Sequence, residues 1–454
     1  MTGNLDIEEL AELVERAEID TVLAVFPDHL GRLLGKRLTG TYFLEGLERG
    51  EVGACNYLLT ADMEMNPLPG FAMAGWDKGY GDFALAPDVR TLRRIPWLPQ
   101  TALVMCDLVW ENGEPVVQSP RAILRRQCDL LAERGMKAYV GSELEFYLFL
   151  DTHSSLRQRG FKDIRPSSQY RIDYHILQTS SDESVIREIR NAMCAAGIPV
   201  EYSKGEWGSG QHEICLCYAD ALEMADRHAI YKNGAREIAT SRGAAISFMA
   251  KYNATEAGSG LHIHTSLFDA DSETNLFWDG GANGPTDTFR YFMGGLLHLS
   301  REFCLFFAPT INAYKRYQET SFAPTRIAWD YDNRTTGFRI IGHGQSFRVE
   351  NRMPGADANP YLAYAATLAA GLYGIENKID CNQPFKGNAY AAEDLPQLPS
   401  TLREATDLFD RSATARSCFG DDVVDHYVHS ARLEQQAFDK AVTDWELYRY
   451  FERI

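Results

Sequence analysis

Period-two alternation organises the most informative stretches of this chain. From Lys137 to Phe149, one face carries Ala138, Val140, Ser142, Leu144, Phe146 and Leu148, and the other carries Glu143 and Glu145. The same period returns at 260–268, where Leu261, Ile263 and Leu267 alternate with His262 and His264. It returns at 346–353, where Phe347, Val349 and Met353 alternate with Arg348, Glu350 and Arg352, and at 212–218, where Glu213 shares a face with Cys215 and Cys217. Shorter apolar runs predict strands at 21–26, 32–37, 101–110, 200–204, 244–249 and 336–341. Apolar positions at helical spacing predict helices over 4–18, 120–134, 183–196, 220–241, 286–307, 359–377, 400–408 and 420–453. Ser119-Pro120 opens the second of these as N-cap and first helical residue, and Gly135 closes it.

Residues 57–88 read as a long ordered loop, a kind that usually serves function or an interface. The turn at Glu111-Asn112-Gly113-Glu114 places a domain boundary, giving a small unit over 1–113 and a catalytic unit over 114–454. The alternation of helices with strands predicts an α+β protein whose larger domain has a mostly antiparallel sheet packed by helices.

Composition narrows the function. The 454 residues carry a formal charge of −18, which argues against nucleic acid or an anionic membrane as partner. Hydrophobic residues make up 45%, enough for a large core. Nine cysteines without a Cys-x-x-Cys pair read as buried free thiols. The N-terminus has no signal-peptide apolar region and no apolar run reaches ~18 residues, so a cytoplasmic location is expected.

The charged faces of the alternating strands carry the chemistry. A carboxylate pair inside a sheet is costly unless a cation sits there. One acidic strand face alone reads equally well as solvated surface, but four strands presenting charge from apolar backing do not. Acids with one neutral imidazole suit Mg²⁺ or Mn²⁺ rather than zinc. Arg316, Arg334, Arg339, Arg348 and Arg352 crowd into 316–352, and the guanidinium fork binds phosphate or carboxylate. Neither a Gly-x-x-x-x-Gly-Lys-Ser/Thr loop nor a Rossmann fingerprint is present, so a nucleotide would be held through metal and arginine.

Taken together, Gly-Ser-Glu-Leu-Glu-Phe, Glu-Trp-Gly-Ser-Gly-Gln-His-Glu, Gly-Ser-Gly-Leu-His-Ile-His, Asn-Ala-Tyr-Lys-Arg, Asn-Arg-Thr-Thr-Gly-Phe-Arg and Arg-Val-Glu-Asn-Arg resemble the type I glutamine synthetase family over nearly the whole chain. The resemblance implies a small N-terminal β-grasp domain, a barrel-like catalytic domain, and a dodecamer of two hexameric rings with active sites between neighbours. It implies ATP as substrate, two or more Mg²⁺ or Mn²⁺ ions per site, and γ-glutamyl phosphate as intermediate. Glu145, Glu206 and Glu213 resemble the ligands of one metal, and Glu143, His262 and Glu350 those of a second. Arg316 and Arg352, with Gly258, Glu145 and His262 beside them, match the glutamate pocket. Arg334 matches the residue that stabilises the transferring phosphoryl group, so that Arg334, Arg316 and Glu350 stand as catalytic. Arg339 and Arg348 match ATP-phosphate contacts, and His264 and Ser266 resemble nucleotide-side residues.

The chain departs from the family on the acceptor side. Glutamine synthetases proper carry a glutamate six residues after the arginine of Asn-x-Tyr-Lys-Arg; here that position is Phe322, followed by the expected Ala323-Pro324. No acid stands in Pro67–Ala74 before Gly75-Trp76, and Ala257 replaces the asparagine expected before Gly258. An aromatic wall cannot take up hydrated ammonium, so the expected reaction joins glutamate to an organic amine, a small monoamine such as ethanolamine first. Alternatives are a polyamine, which Asp62 and Glu64 could serve if their loop folds over the site, ammonia itself, and a non-catalytic assembly or regulatory role. Tyr390 stands where some relatives carry an adenylylated tyrosine, but its flanks differ and a plain loop tyrosine is the favoured reading.

Overall fold

The computed structural model describes residues 3–47, 52–279 and 284–454. Two sheets organise them. The first has six strands: β1 (Thr21–Pro27), β2 (Leu33–Thr39), β3 (Gly53–Cys55), β4 (Asp82–Pro87), β5 (Arg93–Arg94) and β6 (Thr101–Val109). Their order is β2-β1-β6-β4-β3, with β5 paired to β6; β1 and β6 run parallel and the other neighbours antiparallel. Strand β1 reads as an almost unbroken apolar run because both faces are covered. Val22, Ala24 and Phe26 pack with Leu10, Leu13 and Phe43 of the helices Ile7–Glu15 and Gly40–Leu47, while Leu23 and Val25 join the hydrophobic core that also holds Val140 and Leu144.

The second sheet has eight strands: β7 (Met136–Phe149), β8 (Val200–Gly205), β9 (Gln211–Asp220), β10 (Ala245–Ser247), β11 (Leu261–Asp269), β12 (Trp329–Tyr331), β13 (Phe338–Ile341) and β14 (Arg348–Asn351). The order is β12-β13-β14-β11-β7-β9-β8, with β10 beside the end of β7, and every neighbouring pair is antiparallel except β12–β13. The apolar face of β7 is buried from Ala138 to Leu148 under the helices Pro120–Ala132, Ala221–Ser241, Asp287–Leu299 and Pro360–Glu376. The opposite face carries the charged residues.

Several expectations are corrected. The 57–88 segment contains β4, whose alternation of Phe83 and Leu85 with small alanines hides its strand character. The expected helix over 286–307 stops at Leu299, where the Ser300 hydroxyl bonds back to Leu296 O, and resumes only as the turn Cys304–Phe307. The expected helix over 420–453 divides into Asp421–Lys440 and Asp444–Tyr450, because Thr443 forms a capping box with Glu446 and starts a new helix. No helix of the described residues is long and apolar enough to cross a membrane.

Candidate active site

Register across the second sheet builds the site. Directly opposed residues share a face, so each rung of the ladder brings side chains together. One rung runs Lys204–Glu213–Glu145, the next His262–Glu143–Cys215, and a third Arg339–Glu350–His264. Loops add Arg316, Phe322, Arg334 and Arg352, and these with Glu143, Glu145, Glu213, His262, Arg339 and Glu350 wall a cavity of ≈ 340 Å³. Glu143, Glu145, Glu206, Glu213, Gly258, His262, Arg316, Phe322, Arg334, Arg339, Arg348, Glu350 and Arg352, all expected from the sequence, line it. His264 and Ser266 do not; they are buried on β11 beside it.

The donor set suits hard cations. Glu145, Glu206 and Glu213 each offer an oxygen within 4.8 Å of the others, and Glu143, Glu213 and His262 form a second such group. Burial pushes the Glu145 carboxyl up to about 8, with Glu206 adding to the effect against Arg316 and the Gly260 N–H. Burial raises Glu213 well above the usual carboxylate range, helped by Glu143, Glu206 and Glu145. Carboxyls so crowded and desolvated are matched by a divalent cation. Burial, then Arg352, lowers His262 to about 4, so its imidazole is neutral and keeps a lone pair for a metal. His262 Nδ1 lies 3.3 Å from Glu143 Oε2 and 3.6 Å from Glu350 Oε1, which joins the expected second ligand set in space.

His264 behaves differently. Its Nδ1 accepts from Arg348 Nε at 3.1 Å, which leaves the proton on Nε2, and that atom faces a Glu143 oxygen at 2.8 Å. In this tautomer His264 accepts from Arg348, and with Glu143 and Glu350 it forms a third group of side chains able to hold a metal.

The arginines divide by their partners. Arg316 is buried with its guanidinium on two carbonyl oxygens, Met353 O at 2.9 Å and Arg352 O at 3.1 Å, and none of its hydrogen bonds goes to a carboxylate among the described residues. Arg352 bonds Glu350 Oε1 at 2.5 Å, and its buried Nε has no partner among the described residues. Among the described residues, a buried Arg316 without a carboxylate partner, beside an Arg352 whose Nε is unused, suits an incoming carboxylate. Gly258 passes so close that a Cβ there would meet Arg316 Cγ at 2.7 Å and Ala250 O at 2.8 Å, which explains the glycine. Arg339 bonds Glu350 Oε2 at 2.9 Å; burial works to raise the Glu350 carboxyl, but Arg352, His262 and His264 together hold it at about 2. Arg334, half exposed, lines the cavity, with Asp332 4.0 Å from its guanidinium.

On the acceptor side, Phe322 meets Trp207 edge to face, ring centroids 5.8 Å apart. Asp173, Tyr174, Tyr202, Lys204, Trp207 and Gln211 also line the cavity without having been singled out in the sequence. Tyr202, Lys204 and Glu206 alternate along β8 and its exit, so period two could have exposed Lys204; Asp173 sits in a loop with no such signal. Asp62 and Glu64 do not line this cavity: Asp62 accepts from the backbone of Glu64 and Asn66 in its own turn. Tyr390 is buried, and its hydroxyl donates to Ala323 O at 2.9 Å, so it packs the wall behind Phe322.

Comparison with known proteins agrees with this geometry. The family model described as glutamine synthetase, catalytic domain, matches residues 117–450. A gamma-glutamylethanolamide synthetase of Streptomyces coelicolor is 52% identical over 454 residues, covering 100% of this chain and 97% of that protein. A glutamate–isopropylamine ligase of a Pseudomonas species is 38% identical over 452 residues, covering 99% and 98%. Among solved structures, one described as apo GmaS without ligand superposes with a TM-score of 0.85 at 27% identity, covering 98% of this chain and 100% of that one. On the catalytic-domain match and these full-length relatives, the chain belongs to the glutamine synthetase family.

Proposed function

We propose that this protein is an ATP-dependent ligase that joins the γ-carboxylate of glutamate, through γ-glutamyl phosphate, to a small organic amine, ethanolamine first among them. The observation that carries the reading is the aromatic pair Phe322–Trp207 on the acceptor side of a cavity that otherwise keeps its full set of carboxylates and arginines. A pair of rings favours an alkyl-bearing amine over hydrated ammonium. The Streptomyces coelicolor relative, named for an ethanolamide product, and the Pseudomonas relative, named for an isopropylamine substrate, support the same choice.

In this reading, Glu145, Glu206 and Glu213, which lie close enough together, hold one divalent ion, and Glu143, His262 and Glu350, brought together around His262 Nδ1, hold another, with Mg²⁺ or Mn²⁺ fitting the oxygen-rich set. Such ions neutralise charge on the phosphates during transfer. Arg316 and Arg352 hold the glutamate carboxylates, with Gly258 leaving the room. Arg339 and Arg348 bind the ATP phosphates, His264 and Ser266 flank the nucleotide, and Arg334 stabilises the moving phosphoryl group.

A homo-oligomer of two stacked hexameric rings is part of the proposal, as is the division into 1–113 and 114–454. Exposed Trp445, Tyr448 and Phe451 near the C-terminus leave apolar surface that a neighbouring copy would bury. A cytoplasmic setting agrees with cysteines that are all free.

Phosphate release from ATP with glutamate and Mg²⁺, measured over ammonium, ethanolamine, methylamine, putrescine and spermine with product masses, tests the reading. Turnover with a small monoamine and little with ammonium is expected. Turnover with ammonium alone overturns it.

A further inference from the structure

The roles above leave Asp173, Tyr174 and Lys204 without a task, although all three line the cavity. Residues 171–174 run alongside 205–209. Arg171 bridges to Ser209, the Tyr174 N–H donates to Gly205 O at 3.3 Å, and a Cβ on Gly205 would meet Ile172 O at 2.3 Å. This zipping sets Asp173 beside Lys204, whose ammonium donates to Asp173 Oδ1 at 3.0 Å and lies 2.7 Å from Glu206 Oε1. The same ammonium sits 4.1 Å from the centre of the Tyr174 ring. Next to it, the Arg171 guanidinium lies 4.5 Å from the Trp207 ring, and Trp207 abuts Phe322.

This corner therefore already holds a primary ammonium on an alkyl stem, that of Lys204, between carboxylates and over an aromatic face. It also has capacity left. Asp173 lies outside the groups of carboxylates that can share a metal, its Oδ2 accepts no hydrogen bond among the described residues, and its side chain is 31% exposed. A carboxylate with a free oxygen beside two rings matches a primary alkylammonium: charge to the oxygen, methylenes to the rings.

We propose that Asp173 is the carboxylate that receives the ammonium group of the acceptor amine, with Trp207 and Phe322 flanking its alkyl part; the inference rests on the amine-ligase reading above. Lys204 is the positioning residue, holding Oδ1 so that Oδ2 faces the cavity. Asp173 stands in for the acids that this chain lacks at Phe322 and before Gly75, and it acts from the chain's own loop.

Steady-state kinetics of Asp173→Asn test this with two nucleophiles, ethanolamine, which arrives protonated, and hydroxylamine, which arrives neutral near pH 7. Loss of one charge-assisted hydrogen bond implies a rise of about 10- to 100-fold in the KM for ethanolamine, with a far smaller change for hydroxylamine and for glutamate. Asp173→Glu, which keeps the charge on a longer stem, is expected to recover part of the ethanolamine KM and covers the case in which the asparagine variant does not fold. An unchanged ethanolamine KM overturns the proposal. So does an equal loss with both nucleophiles, since Asp173 would then serve the phosphate or metal side. A wild-type enzyme that uses hydroxylamine but no organic amine defeats the amine-ligase reading itself, and this inference with it.

Discussion

Glu145 on β7 and Glu213 on β9 face each other directly across one rung of the sheet, and both are buried. Like charges so placed destabilise a sheet. Burial raises both carboxyls, Glu145 to about 8 with Glu206 adding to it, and Glu213 well above its usual range with Glu143, Glu206 and Glu145 adding to it. A carboxyl whose folded pKa is raised holds its proton longer in the folded state than in the unfolded one. Stability without metal therefore falls as pH rises from the ordinary carboxylate range toward neutrality. Glu213→Gln removes one charge and keeps the shape. In chelator at pH 7.5, calorimetry should find the variant more stable than wild type by ~1–2 kcal/mol. Added Mg²⁺ or Mn²⁺ should stabilise the wild type much more than the variant, and the variant should lose nearly all turnover. A variant melting below wild type in chelator counts against the rung as a cation site.

Phe322 carries two loads that mutations can separate. Its backbone lies in the left-handed region at φ 61°, which costs a non-glycine residue ~1–2 kcal/mol. Phe322→Gly relieves that strain and removes the ring, so the melting temperature should rise while the KM for the organic amine also rises. Phe322→Glu restores an acid six residues after Arg316, where glutamine synthetases proper carry one, and kcat/KM for ammonium should rise ~10-fold or more as that for ethanolamine falls. Unchanged selectivity in both variants removes Phe322 from the acceptor site.

The cluster of carboxylates, histidines and arginines around the cavity was legible because period two is a local property. A strand with one apolar face must put its odd residues together, so Glu143 with Glu145, His262 with His264 and Arg348 with Glu350 declared a common face before any fold was known. Which rung met which was not legible, since register depends on partners far along the chain. The pairing of Glu145 with Glu213, and of Lys204 with Glu213, emerges only from the assembled sheet. Asp173 lay further out of reach, because a loop residue gains meaning only from what the loop is zipped to. Helix ends failed for a related reason: capping at Thr443 and back-bonding at Ser300 compete locally with an apolar period that runs through both points.

Arg121 ties the two sheets together from a position only 1% exposed. Its guanidinium reaches Asp226 at 2.9 and 3.1 Å, Asp88 at 3.0 Å and Asp107 at 2.5 Å, while the Tyr361 hydroxyl donates to Asp226 at 2.7 Å. Asp88 and Asp107 belong to the first sheet's side and Asp226 and Tyr361 to helices of the larger unit. Arg121→Met leaves Asp226 buried without its cation, a loss of ~3–5 kcal/mol by urea denaturation. Arg121→Lys should recover little, because one ammonium cannot reproduce a fork spread over three carboxylates. A variant within 1 kcal/mol of wild type, taken as roughly the limit for an exposed pair, refutes the role.

His29 and His426 form a buried pair, ring centroids 6.2 Å apart, where the turn after β1 meets the helix Asp421–Lys440, with Phe71 packed on His426 at 4.9 Å. His29 Nδ1 and His426 Nε2 have no hydrogen-bond partner among the described residues. Burial lowers His29 to about 4, with Asp28 opposing and Arg32 adding; burial, then His29, lowers His426 to about 3. Both start from 6.5, so between that pH and their folded values the unfolded chain binds protons that the folded chain refuses. Stability is therefore complete above about pH 6.5 and is lost as pH falls toward 4 and 3, at ~1.36 kcal/mol per pH unit for each ring. Melting temperatures from pH 7.5 to 5, compared between the wild type and His426→Phe, isolate this ring, since the raised Glu145 and Glu213 and the other lowered histidines, His228 and His262, contribute equally to both proteins. His426→Phe, which keeps the aromatic packing without a titrating nitrogen, should lose less stability below about pH 6.5, by up to ~1.36 kcal/mol per pH unit. Parallel curves for the two proteins would assign the acid sensitivity elsewhere.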